Sequence, residues 1–220
     1  MGVDPANDRR EPSVAQRWDT RLRPFVPQFV NQHSVLSKFE GRMSIILHGS
    51  TAMGIDDPFS DLDFWLLVPA DTLAGFDSLS PTRFVPFTLD GKEGHINVTG
   101  AEEFAARLSR CDMDLIHQLR MAVIFADHVG LAHRLQALAR QPMPKKVRDA
   151  MFFWHYTEMR GEHRACDNPM QRVDPPAFLL SLSKTIARAL QAAMVLDEEP
   201  YPYDKWLHRA ARQTPTGARI

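Results

Sequence analysis

Ser44-Ile45-Ile46-Leu47-His48-Gly49-Ser50, a polar connector through Pro58, and then Ser60-Asp61-Leu62-Asp63 opening the apolar run Phe64-Trp65-Leu66-Leu67-Val68 decide how this chain folds. Two apolar segments of strand length on either side of a turn-rich connector predict two neighbouring strands. Alternation along the second strand sends Asp61 and Asp63 to one side of the sheet, roughly 6–7 Å apart along the backbone, while Leu62 and Phe64 face the other. Aspartate is depleted in strands, and two of them at the mouth of a hydrophobic strand cost stability unless a cation or water compensates them. Such a pair of hard oxygen donors suits Mg²⁺ or Mn²⁺, ions that keep waters and phosphate oxygens as further ligands. Gly49 allows close approach of the backbone to a phosphate, and Ser50 offers a hydroxyl and an N–H at the start of a helical turn.

Working outward, Phe84 to Leu89 and Gly94-His95-Ile96-Asn97-Val98-Thr99 flank Asp90-Gly91-Lys92 and read as a hairpin. The polar face of its second strand carries His95, Asn97 and Thr99, with no carboxylate. Asn97 has an amide oxygen for a cation, and His95 is a base that titrates near neutrality. A further strand is expected over 121–126, with helices near 102–110, 112–118 and 130–140. Pro142 and Pro144 then mark a boundary. Beyond it, apolar residues recur at helical spacing over 145–165, 176–195 and 203–212. Upstream, residues 1–11 are polar and expected to be disordered. A short helix over 13–22 is expected to end at the Pro24 and Pro27 breaks, and a second helical segment to run from 28 to 39.

The 220 residues are 44% hydrophobic, enough for one sizeable core or two smaller ones. No apolar run reaches the roughly 20 uninterrupted residues of a membrane span, and the polar N-terminus lacks a signal peptide's apolar region, so a cytoplasmic location is expected. Cys111 and Cys166 have no metal-ligand or redox spacing and are expected to be free thiols. The net charge of −1 argues against wholesale coating of nucleic acid. The charge is unevenly spread: residues 1–110 hold 11 Lys/Arg against 15 Asp/Glu, and residues 111–220 hold 15 against 12. No RRM-like or KH-like signature is present. His155, Glu158, Glu162 and His163 have helical spacings that invite a metal reading. The aromatic residues beside them, Phe152, Phe153, Trp154 and Tyr156, favour a packed helix with a solvated polar face.

The apolar strand ending in Leu47-His48-Gly49-Ser50, the connector, and Ser60-Asp61-Leu62-Asp63-Phe64 together resemble the nucleotidyltransferase superfamily, the DNA polymerase β-like group that includes antibiotic and minimal nucleotidyltransferases. Leu119 to Asp127 is similar to the strand ending in Asp of the antibiotic-modifying branch. Tyr201-Pro202-Tyr203-Asp204-Lys205-Trp206-Leu207 is similar to an aromatic-Pro-x-x-Lys-Trp-Leu motif of its helical C-terminal domains. The resemblance implies an α+β fold: an N-terminal polar tail and short helix over 1–27, a mixed-sheet nucleotidyltransferase core over 28–142, and an α-helical bundle over 143–220. It implies Mg²⁺ or Mn²⁺ on Asp61 and Asp63, a nucleoside triphosphate, ATP first, against Gly49 and Ser50, and Lys205 reaching nucleotide or substrate. His95 and Asn97 are the candidates for the place of the third carboxylate that active members usually carry.

The implied reaction moves a nucleoside monophosphate onto a hydroxyl of a small molecule such as an antibiotic, releasing pyrophosphate. Without that third carboxylate, the alternatives are a catalytically weak nucleotide-binding sensor, or a toxin-type enzyme acting on RNA or protein. Unburied helix faces near Phe178 to Leu190 would favour a homodimer.

Overall fold

The computed structural model describes residues 14–220, so the expected disorder of residues 1–11 lies outside the described residues. The chain opens with α1 (Val14–Gln32) and a 3₁₀ turn at Leu36–Phe39. There follow β1 (Ser44–His48), α2 (Gly49–Met53), β2 (Leu62–Val68), α3 (Ala70–Asp77), β3 (Phe84–Leu89) and β4 (Lys92–Gly100). Then come α4 (Ala101–Ser109), α5 (Met113–Met121), β5 (Val123–Asp127) and α6 (Leu131–Ala139). The remainder is helical: α7 (Lys145–Ala165), α8 (Asp167–Gln171), α9 (Pro175–Leu196), α10 (Asp204–Ala211) and a closing 3₁₀ turn at Gly217–Arg219. Mixed sheet and helices make the fold α+β, as expected.

The five strands lie in the order β3-β4-β2-β1-β5. β1 pairs antiparallel with both β2 and β5, β3 pairs antiparallel with β4, and β2 pairs parallel with β4. The β3–β4 hairpin closes through Asp90 at φ +52 and Gly91 at φ +78, the paired left-handed residues of a tight two-residue turn. One sheet face is apolar. Leu47, Leu62, Phe64, Leu66, Val85, Phe87, Ile96 and Val98 are buried there in one cluster with Leu22, Val26 and Val30 of α1 and with Leu36 and Phe39.

That cluster explains a departure from expectation. Pro24 and Pro27 do not break the first helix, which runs through both to Gln32, so the first part of the expected second segment belongs to α1 and only the 3₁₀ turn Leu36–Phe39 follows it separately. Each proline removes a backbone donor and strains the preceding turn. Leu22, Val26 and Val30, spaced four apart, form one buried stripe whose packing outweighs that local cost. Two short helices, α3 and α8, lie outside the expected elements.

Contacts divide the chain into two compact units. The first holds the described chain up to Glu103 together with Met121–Leu135, and hence the whole sheet. The second is helical and draws on Phe104–Arg120 as well as Gln136–Ile220. Within it α9 packs along α7 and against α10, and Leu190, Met194, Leu207 and Ala211 form a buried cluster. Asp174 caps α9 by accepting from the Ala177 N–H at 3.2 Å, with prolines in the first helical turn. By length and composition α9 is apolar enough to cross a membrane, yet it carries Lys184 and Arg188. Leu179, Leu180 and Ile186 are exposed along it. Both cysteines are free thiols.

Candidate functional site

The polar face of the sheet gathers the chemistry. β1 ends at His48, whose register partner on β2 is Asp63, and Asp63 is in turn paired with His95 on the parallel neighbour β4. Asp61 stands one residue before β2, on the same side as Asp63, while Leu62 and Phe64 are buried on the opposite face. His95 Nε2 lies 2.9 Å from Asp63 Oδ1, and His95 Nδ1 lies 3.7 Å from Asp61 Oδ2. One ligand atom from each of the three residues falls within 4.8 Å of the others, the one such group of His, Cys, Asp or Glu among the described residues. The Asp61 side chain is 49% exposed, against 19% for Asp63 and 20% for His95.

Gly49 makes room for this cluster. It sits at φ +72, where side-chain-bearing residues are strained, and a Cβ placed on it would come within 2.4 Å of Asp63 Oδ2. The strand-to-helix turn therefore needs glycine twice over, for its backbone and for the carboxylate beside it. Ser50 and Thr51 are buried in the same turn. Thr51 Oγ1 donates to the Asp61 carbonyl at 3.4 Å, a weak tie between α2 and the start of β2.

The connector is folded back on itself. Ser60 Oγ donates to Asp57 Oδ1 at 2.9 Å and accepts from the Asp57 N–H at 3.0 Å, leaving Phe59 at the tip almost wholly exposed. Asp56 and Lys92 form a pair at 3.5 Å with both side chains largely buried, and Lys92 Nζ lies 5.0 Å from the centre of the Trp18 ring. This tether holds the connector to the β3–β4 turn. Nothing in the local sequence marks Asp56 and Lys92 as partners.

His95 is held electrostatically and by packing. Its hydrogen bond to Asp63 raises its pKa above the usual imidazole value; burial opposes this, and the charges of Asp63 and Asp61 add to it. The Phe84 ring stacks on it, centroid to centroid 5.0 Å. An open groove of about 640 Å³ runs past Asp61 and His95 along β3, with Phe84, Thr88 and Glu93 on its walls. Phe84 is a wall of the site that the sequence pattern did not single out, although its place opposite Asn97 in a hairpin was readable. Deeper on the same face His48 stacks on Trp65 at 3.7 Å.

Asn97 is two residues farther along β4, register-paired with Trp65 rather than with an aspartate. Lys205 belongs to the helical unit, where it is exposed at the start of α10 with Nζ 4.9 Å from the Trp206 ring. Around it the aromatic motif is a packing device: Trp206 and Leu207 are buried, Trp206 Nε1 donates to Tyr203 Oη at 2.9 Å, and the Tyr203 N–H reaches Asp114 at 3.0 Å. Asp127, the aspartate that ends β5, is the N-terminal cap of α6. It accepts from the N–H groups of Ala132 at 3.2 Å and His133 at 3.0 Å and from the Ser44 hydroxyl. His155 is fully buried against Tyr201, its Nε2 2.9 Å from the phenol oxygen, in keeping with a packed helix.

Residues 108–207 match the model of a family described as a domain of unknown function, DUF4037, a stretch that excludes Asp61, Asp63 and His95. No curated protein matches the chain. Among solved structures it is similar to a nucleotidyltransferase-like protein from Exiguobacterium sibiricum, at 8% identity and a TM-score of 0.47, covering 89% of this chain and 62% of that one. It is also similar to a CCA-adding enzyme solved with ATP, at 16% identity and a TM-score of 0.27, covering 90% of this chain and 59% of that one. The chain thus spans about three fifths of the length of each of these proteins.

Proposed function

We propose that this chain is a nucleotidyltransferase that moves a nucleoside monophosphate, AMP from ATP first, onto a hydroxyl of a small molecule such as an antibiotic. The observation that carries this reading is the convergence of Asp61, Asp63 and His95 beside the Gly49 turn, at the head of an open groove. The donor set fits a divalent cation: two carboxylates and an imidazole, with ligand atoms already within 4.8 Å of one another. Such a cation, when bound, neutralises phosphate charge and favours in-line displacement.

The chain's own part is positioning. Asp61 and Asp63 would hold the cation, Gly49 makes room for the Asp63 carboxylate against the turn, and the Phe84 wall offers an apolar ring to a planar group in the groove. The acceptor oxygen bonds to the α-phosphorus, the bond to the bridging oxygen breaks, pyrophosphate leaves, and the hydroxyl proton passes to the carboxylate–imidazole cluster. Catalysis of this kind is mostly geometry and charge, so removing one carboxylate is expected to cost three or more orders of magnitude (roughly 10³-fold) in rate.

The test is incubation with labelled ATP, divalent cation and pooled acceptors. Label transfer that disappears in Asp61→Asn and Asp63→Asn supports the reading. Transfer to tRNA or to a protein instead of small molecules would redirect it to a toxin-type activity. One observation favours a second reading, a nucleotide sensor of low activity: His95 and no carboxylate stands beside Asp63 on β4. Nucleotide binding without turnover would select that reading.

A further inference from the structure

We propose that His95 is the third ligand of the cation held by Asp61 and Asp63, and that its ring nitrogen makes the site prefer Mn²⁺ and similar borderline ions to Mg²⁺. This deepens the reading of the cluster as a cation site and rests on it. The parallel register of β2 and β4 sets His95 directly beside Asp63, so the imidazole projects from the same sheet face as both carboxylates. Its two nitrogens face different partners, Nε2 toward Asp63 at 2.9 Å and Nδ1 toward Asp61 at 3.7 Å. Phe84 stacked on one side and a side chain only 20% exposed hold the ring in that attitude, which lowers the cost of ordering it around an ion.

A carboxylate at this position would bring the donor set to three negative charges and oxygen alone, the preference of a hard ion that sheds water reluctantly. An imidazole leaves two charges and adds a nitrogen donor. Both changes weaken Mg²⁺ relative to Mn²⁺, Co²⁺ or Zn²⁺. The other Asp–His pair in the unit shows what a purely structural arrangement looks like: Asp127 contacts His133 at 2.6 Å, but its carboxylate is committed to the cap of α6 and to Ser44.

The deciding measurement needs no turnover. Mn²⁺ is titrated into the purified full chain without nucleotide at mildly alkaline pH, followed by electron paramagnetic resonance, with Mg²⁺ as competitor. Electron spin-echo modulation reports whether nitrogen is coordinated. Wild type is expected to show nitrogen coupling and a preference for Mn²⁺. His95→Gln is expected to lose the coupling, and His95→Asp to lose it while the Mn²⁺-over-Mg²⁺ ratio falls by about tenfold or more.

Mn²⁺ bound by wild type without nitrogen coupling would overturn the proposal and leave the carboxylate site standing. Coupling that survives in His95→Gln comes from a different nitrogen and overturns it equally, as does a wild type that binds no ion. Nitrogen-coupled Mn²⁺ in a protein that transfers no nucleotide would support the ligand assignment while removing the enzymatic reading. His95→Asn is the second variant where His95→Gln fails to fold.

Discussion

The sheet of this protein carries two aspartate–histidine pairs at strand ends, and they differ in how the carboxylate is used. Asp127 is 5% exposed and is surrounded by donors: Ser44, two backbone N–H groups and the ring of His133. Burial alone would raise its pKa, yet the bonds from Ser44, His133 and Ala132 outweigh burial and hold it below the ordinary carboxylate value. Asp63 instead shares its histidine with a second carboxylate, Asp61, which is half open to solvent at the head of a groove. A buried carboxylate that accepts local backbone donors finishes a helix. Two carboxylates converge on one imidazole beside the groove.

The contrast can be broken in several ways. The largest expected effect is on chemistry: Asp61→Asn and Asp63→Asn abolish transfer by orders of magnitude, whereas Asp127→Asn leaves turnover per folded molecule within about twofold, as measured with labelled ATP. Gly49→Ala comes next. With φ at +72 and Asp63 Oδ2 2.4 Å from the new methyl, it is expected to cost about 2–4 kcal/mol in urea unfolding and to displace the Asp63 carboxylate, reducing cation affinity as well.

A third histidine extends the comparison to pH. Where His95 is raised by its carboxylates, His155 in the helical unit is lowered to about 4, by burial first and then by the charge of Arg188. Its folded pKa lies below the unfolded value near 6.5, so the unfolded chain binds the extra proton between those values. Stability is therefore complete above about pH 6.5 and is lost as pH falls toward 4, by about 2–3 kcal/mol if the unit unfolds in one step. Denaturant titrations across that range check this, and His117, also lowered to about 4 by burial and Arg120, adds to the same slope.

Asp127→Ala removes a helix cap and leaves Ser44 without its acceptor, for an expected loss of about 2 kcal/mol near neutral pH. Because the folded pKa of Asp127 is depressed, that contribution exists above about pH 3.9 and fades as pH falls through the folded value, so the variant flattens the acid limb of the stability curve. The smallest change is His133→Ala. The ring is 74% exposed and the backbone donors to Asp127 remain, so thermal unfolding should move by no more than about 0.5 kcal/mol. A large effect there would erase the distinction between the two pairs.

Several parts of the site were legible in advance. Period-two alternation alone puts Asp61 and Asp63 on one side of β2, and Asp90-Gly91 alone predicts the hairpin that brings β4 back. His95 was visible as a polar residue on a strand face. Its contact with both aspartates was not, because that depends on which strand lies next to β2, and a parallel neighbour joined through a hairpin and a helix has no local signature. The Asp56–Lys92 tether is hidden for the same reason, being a meeting of segments far apart in sequence. The helix through Pro24 and Pro27 shows the opposite failure, a strong local signal overruled by a buried apolar stripe.

The amino-acid order by itself determined the strands, the long helices α7 and α9, and the side of the sheet on which the carboxylates emerge, since these follow from side-chain periodicity and turn chemistry within a dozen residues. Only the tertiary structure decided that an imidazole completes the carboxylate pair, that Asp127 is a cap and not a member of it, and that a groove opens beside it. Those outcomes depend on strand order and register, which are chosen by the packing of the whole core and not by any one stretch of chain.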